Sequence, residues 1–120
     1  MLTKEQILEA QDITKELVNI PEWGGDIYVC TMTGEERDSF EVSIMDKKSN
    51  KVNFANIRAK LCAKTIRDEE GNLMFTDKDV EKLGKKSALA LDRVYEVAQR
   101  LNGIGKKEID ELTKNSESEG

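Results

Sequence analysis

The 120 residues contain no histidine, a single proline, a single tryptophan and two cysteines. General acid-base and nucleophilic sites most often recruit histidine, so its absence weakens every catalytic reading. The two thiols, Cys30 and Cys62, lie in apolar runs without C-x-x-C spacing. Zinc therefore has no ligand set, and both are expected to be buried free thiols. No apolar run approaches the roughly 18 residues that a membrane span needs. The start, "MLTKEQILEA", also has no apolar core of a leader peptide, so a soluble intracellular protein is expected.

No G-x-x-x-x-G-K-[ST] or G-x-G-x-x-G is present to cradle a phosphate. A net charge of −5, with lysines and arginines interleaved among acids, argues against nucleic acid or anionic membranes as partners. "DEEGN" at 68–72 and "DKD" at 77–79 contain fragments of a calcium loop, but their oxygens stand at the wrong offsets from Gly71. A plain turn is the better reading. The remaining acids are spread along helix surfaces, which suits solvation rather than a paired-carboxylate site. No catalytic, cofactor or metal residue is assigned, and no enzyme is expected.

What is present is a set of local punctuation marks. Thr3 and Gln6 form a T-x-x-Q capping box for a short helix over about 4–10, with Leu2 and Ile7 placed as a hydrophobic staple. "KELVNI" (15–20) and "DIYVCTM" (26–32) are β-prone runs separated by "PEWGG", predicting a β-hairpin with a five-residue loop. Alternation sets Ile27 and Val29 against Tyr28, Cys30 and Met32, so both faces of the hairpin call for cover.

Thr33 and Glu36 open a second helix of about ten residues, in which Phe40 and Ile44 share a face. From Phe54, the sets Phe54, Ile57, Leu61 and Ala55, Ala59, Cys62, Ile66 make two ridges, predicting a central helix packed on more than one side. A turn at Gly71-Asn72 is expected to return Leu73, Met74 and Phe75 to the core. Thr76 then caps a short helix ended by Gly84. Ser87 caps a helix over 88–101 with the stripe Leu91, Val94, Ala98, Leu101, widened by Ala90 and Val97.

The predicted fold class is α+β: a mainly helical single domain with an N-terminal β-hairpin over residues 1–103. Residues 104–114 read as a mobile C-terminal helix after Gly103-Ile104-Gly105, and 115–120 as a disordered tail. The C-terminal helix carries only Ile109 and Leu112 as an apolar ridge, which suits either a partner or docking on the domain. Trp23 either lids the core of the hairpin or anchors a partner, and the need to cover the hairpin favours the lid. Trp23, Ile109 and Leu112 are the candidate partner-binding residues.

"LTKEQIL", "IPEWGG", "TGEERDSFE" and "TDKDVEKLGKKSALALDRVYEVAQRLNG", in that order and spacing, resemble the small tail assembly chaperones of siphophages and prophages, over roughly residues 2–112. The resemblance implies a non-enzymatic protein that binds and solubilises the tape measure protein in the cytoplasm of the bacterial host and is absent from the mature virion. It also implies a longer form, made by ribosomal frameshifting, that recruits the major tail tube protein. Multivalent coating of the client suggests a homo-oligomer. The competing reading is a structural head-tail or tail component retained in the virion.

Overall fold

The computed structural model describes residues 1–104, so Ile109, Leu112 and the tail at 115–120 lie outside the described residues. The chain is an α+β single domain, in which an N-terminal hairpin is completed to a three-stranded antiparallel sheet by a short strand after the third helix. Its elements are α1 (Lys4–Glu9), β1 (Lys15–Ile20), β2 (Gly25–Cys30), α2 (Gly34–Ser43), α3 (Ile57–Thr65), β3 (Ile66–Arg67), α4 (Val80–Leu83) and α5 (Ala88–Leu101).

β1 and β2 pair in register from Lys15↔Cys30 to Ile20↔Gly25. Four residues turn the hairpin rather than five, because Gly25 already pairs as strand. Pro21–Trp23 form a 3-10 turn, with proline at its first position, and Gly24 closes it at φ 75°, a left-handed conformation that glycine takes without a Cβ penalty.

Val29 pairs with both Glu16 and Ile66, and Ile27 with Val18, which places Val18, Ile27, Val29 and Ile66 on one inner face with Ile20. α5 packs against β1 and β2, and its residues Ala90, Leu91, Val94 and Ala98 are buried. On the outer face Leu17 stays exposed, Tyr28 is half-buried, and the Lys15 ammonium lies 4.6 Å from the Tyr28 ring centroid. The expected cover on both sides is thus uneven, with long charged side chains doing part of the work on the outer face.

β3 is an element that sequence reasoning missed. It is two residues long, pairs with Tyr28 and Val29, and begins where α3 ends. The second predicted strand is correspondingly shorter than expected, ending at Cys30 rather than Met32. Alternate residues of β2 direct their peptide groups to β1 and to β3. The N–H of Thr31 donates to the carbonyl of Thr14 on the β1 side, so the Cys30 carbonyl and Met32 N–H face the β3 side, past the end of β3. There the Asn102 amide meets both: its Oδ1 accepts from Met32 N–H at 2.6 Å and its Nδ2 donates to Cys30 at 3.3 Å.

α2 spans the ten residues its capping box predicts, and Phe40 and Ile44 are both buried. α3 sits centrally, packed against α2, α4 and α5, as its two ridges require, with Ala59, Leu61, Cys62, Ala63 and Thr65 buried. It begins at Ile57 rather than Phe54, because Asn56 adopts a left-handed conformation (φ 57°) that breaks helical continuity; Phe54 is exposed. Met74 is also exposed, contrary to its expected return to the core, whereas Leu73 and Phe75 are half-buried. The short helix after Thr76 is a 3-10 turn (Asp77–Asp79) running into α4, and Gly84 ends it. α5 runs over the predicted residues from its Ser87 cap.

Glu36 does two jobs. Its Oε1 accepts from Thr33 N–H at 2.8 Å, completing the capping box, and also pairs with the Arg67 guanidinium, whose Nη1 donates to Gly71 at 3.1 Å. Both side chains are mostly buried, which joins the start of α2 to β3 and the turn beyond it.

Asn102→Ala leaves a half-buried Met32 N–H without its acceptor, so a loss of about 1–3 kcal/mol is expected. Denaturant unfolding should show it as a lower midpoint with an unchanged slope.

Burial pushes the Cys62 thiol up to about 12, and burial likewise raises Cys30. The native state therefore holds these protons more tightly than the unfolded chain. That contribution to stability is intact below the ordinary thiol value of about 8.5 and is lost as pH rises toward the native value. Melting temperatures should accordingly fall less steeply between about pH 9 and about pH 11 in Cys62→Ala than in the parent chain. At about pH 8 a thiol-reactive disulfide reagent should label the two cysteines slowly in the native protein and at once in denaturant.

Candidate functional site

Trp23 stands at the centre of the surface feature most suited to a partner. It is half-buried and packs against the core, as the lid reading expects. Its remaining surface lines an open groove of about 440 Å³ together with Phe75, Leu83, Asp79, Lys82 and Lys86. One side of the ring therefore faces the core and the other faces the groove. This volume lies within the roughly 300–1,000 Å³ of ordinary ligand pockets.

Each wall has a local cause. The 3-10 turn sets Trp23, and Glu22 beside it holds that turn to α5 through Arg93, whose Nε and Nη2 donate to the two carboxylate oxygens at 2.9 and 3.1 Å. The hydrogen bonds from Arg93 hold the Glu22 carboxyl below the usual range. Phe75 follows the turn at 68–72, in which the Asp68 carboxylate accepts from the N–H groups of Glu70 and Asn72. Leu83, buried at the end of α4, supplies a further apolar wall.

The rim is unevenly charged. Asp79 Oδ2 accepts from Thr76 N–H at 2.9 Å, which occupies it locally. Lys82 and Lys86 have no ion-pair partner among the described residues. An apolar floor with two available ammonium groups suits a peptide or helix that offers apolar side chains flanked by acids.

Other surfaces differ in character. A hollow of about 480 Å³ over the outer sheet face is lined by Leu17, Tyr28 and Met74 but also by Asp26, Arg67, Asp68 and Glu69. α1 forms its predicted capping box and buries none of its residues, so Leu2, Ile7 and Leu8 remain exposed. Among the described residues no group of three or more His, Cys, Asp or Glu could hold a metal ion, and no helix is long and apolar enough to cross a membrane.

Sequence reasoning named Trp23 but missed Phe75, Leu83, Lys82 and Lys86 as its neighbours. They lie more than fifty positions along the chain, with no spacing that links them to the hairpin. Ile109 and Leu112, the other two candidates, fall outside the described residues.

No family model matches the chain, and no curated protein matches it in sequence. A solved structure shares its fold. The tail assembly chaperone of bacteriophage HK97 superposes with a TM-score of 0.58 and 18% identity, over 81% of this chain and 90% of that one.

The Glu22–Arg93 pair generates a prediction for the site. Glu22→Gln should loosen the turn and raise the accessibility of Trp23 to a collisional quencher, with only a small change in melting temperature. Because the folded carboxyl is depressed, its contribution is present above the ordinary glutamate value of about 4.3 and is lost as pH falls through the native value. Quenching of the parent chain should approach that of the variant on acidification, and equal quenching at neutral pH would show that the pair does not hold the ring.

Proposed function

We propose that this chain is a tail assembly chaperone of a siphophage or prophage, non-enzymatic, and that its client is the tape measure protein. The observation that carries the reading is the shared fold with the HK97 chaperone, which extends over nine-tenths of that chain. The Trp23–Phe75 groove is the proposed client-binding surface within the described domain. A long helical client presents apolar side chains at helical spacing, and a shallow apolar groove can take them in many registers.

Many weak sites acting together would coat such a client and still release it as the tail tube closes round it. Ile109 and Leu112 supply a second apolar ridge for the same task. Contact between neighbouring copies would draw on exposed apolar residues such as Leu2, Ile7 and Leu8 of α1. The work is assigned to the host cytoplasm before the tail is complete, with a longer frameshifted form bringing in the tail tube protein.

Co-expression tests the reading. The long helical open reading frame of the same tail gene cluster should become soluble with this chain, and affinity capture should recover both, with several copies of this chain per client. Phe75→Ser should weaken capture by about tenfold, equivalent to about 1.4 kcal/mol. If the client stays insoluble and this chain elutes alone, the chaperone role is wrong. Recovery of the chain from purified particles would favour the structural tail component instead.

A further inference from the structure

α5 ends on two residues that the fold requires side by side. Gly103, at φ 64°, and Ile104 close the helix: Gly103 N–H donates to the Arg100 carbonyl at 3.4 Å and Ile104 N–H to the Gln99 carbonyl at 2.8 Å. This left-handed terminus calls for glycine at position 103. Asn102, one residue earlier, gives its side chain to the sheet. Its Oδ1 takes Met32 N–H, and its Nδ2 donates to the carbonyl of Cys30 and, at 2.9 Å, to that of Ala98. Position 102 therefore calls for an amide, which offers an acceptor and two donors on one short side chain. The two demands together write Asn-Gly, a pair that occurs nowhere else in the chain.

Asparagine followed by glycine is the pair most open to spontaneous deamidation, because a residue without Cβ lets its backbone nitrogen approach the preceding side chain. The Gly103 nitrogen gives up its proton to solvent and attacks Asn102 Cγ. The new N–Cγ bond closes a succinimide, the Cγ–Nδ2 bond breaks, and Nδ2 takes up a proton and leaves as ammonia. Water then opens the ring at either carbonyl, leaving aspartate or isoaspartate and restoring the Gly103 N–H. Gly103 is exposed, so solvent reaches the site in the folded chain.

The native geometry blocks the first step. Ring closure needs Cβ and the Gly103 nitrogen on the same side of the Cα–C bond, with ψ of Asn102 near about −120°, outside the main regions open to residues with a side chain. Asn102 is held at φ −97° and ψ 4°. Its Cγ can turn toward Gly103 only by releasing Met32, Cys30 and Ala98. The Arg37 guanidinium, donating to the Asn102 carbonyl at 3.0 Å, fixes the very peptide group that would have to rotate.

We propose that Asn102-Gly103 is a modification site that the closed junction of α5, β2 and α2 keeps silent and that deamidates when the junction opens, turning a reversible opening into a permanent one. A carboxylate at 102 still accepts from Met32 N–H. It also presents oxygen to the Cys30 and Ala98 carbonyls where Nδ2 donated, and adds negative charge at the C-terminal end of α5. The isoaspartate product in addition lengthens the backbone inside the turn that Gly103 and Ile104 close. The site thus marks chains in which the end of α5 has come away from the sheet, and it holds whether or not the chaperone reading does.

Peptide mapping of the full chain by mass spectrometry at neutral pH tests the proposal, with a synthetic peptide of residues 99–104, "QRLNGI", followed in the same buffer. The native chain should convert at Asn102 at least about tenfold more slowly than the peptide, because only its open fraction reacts. In denaturant the full chain should convert at a rate close to that of the peptide. The converted chain, separated from the parent by its added negative charge, should unfold at a lower denaturant midpoint and exchange the Ile104 N–H faster. Asn102→Asp supplies the aspartate product without the chemistry and should show the same lowered midpoint. Native conversion as fast as that of the peptide overturns the proposal. So does a denatured chain that fails to convert, or a converted chain whose midpoint and Ile104 exchange match those of the parent.

Discussion

α5 lying across the inner face of the sheet is the interaction on which the rest of the molecule depends. Two six-residue strands and a two-residue third make a sheet too small to stand alone in water. The stripe of Ala90, Leu91, Val94 and Ala98 closes over it, and α3 packs against the same helix. Where α5 stops is set by a side chain. The Asn102 amide takes Met32 N–H and the Cys30 carbonyl in place of the next peptide group of β3, which cannot continue because the preceding residue, Thr65, already belongs to α3. One amide thereby lets a strand give way to a helix without leaving two peptide groups of β2 unpaired. The Arg37 guanidinium donates to the Asn102 carbonyl at 3.0 Å, which brings α2 into the same junction.

What the sequence made legible was local. Capping boxes place donor and acceptor three residues apart, so Thr3 with Gln6 and Thr33 with Glu36 could be read directly, as could Ser87 ahead of the stripe of α5. Proline and two glycines marked the hairpin turn. The features that were not legible join distant positions: β3 to β2, Arg67 to Glu36, Asn102 to Met32. A two-residue strand has no alternation to detect, and a surface-looking asparagine after a helix carries no sign of a partner 70 positions earlier. The start of α3 was misplaced for a different reason. Phe54 and Ala55 fit a helical ridge by spacing, but Asn56 takes a left-handed conformation that spacing does not reveal.

The candidate site was legible in part for the same reason. Trp23 drew notice as a large ring in a turn, yet whether it faced the core or solvent depended on groups that the fold delivers from elsewhere. Phe75 and Leu83 come from the connection between β3 and α5, a region whose sequence reads as turn and short helix. Their convergence beside the hairpin follows from α3 sitting centrally, with α4 packed against it and α5 packed against the 3-10 turn that holds Trp23. No pattern within either segment encodes that meeting.

A groove of this composition also constrains how a client would be held. Its apolar floor provides attraction without direction, and its two lysines provide charge on flexible stems rather than a rigid fork, so neither selects one exact sequence. Weak selectivity would be a defect in an enzyme. In a protein that must cover a long helix along its length and then leave it, selectivity for a single segment would place one copy tightly and the others not at all. A shallow site repeated over many copies instead spreads the affinity evenly, and a growing tube that covers the client can displace those copies one at a time. On the proposed chaperone reading, the Trp23–Phe75 surface would therefore recognise a client by its periodicity rather than by a particular motif.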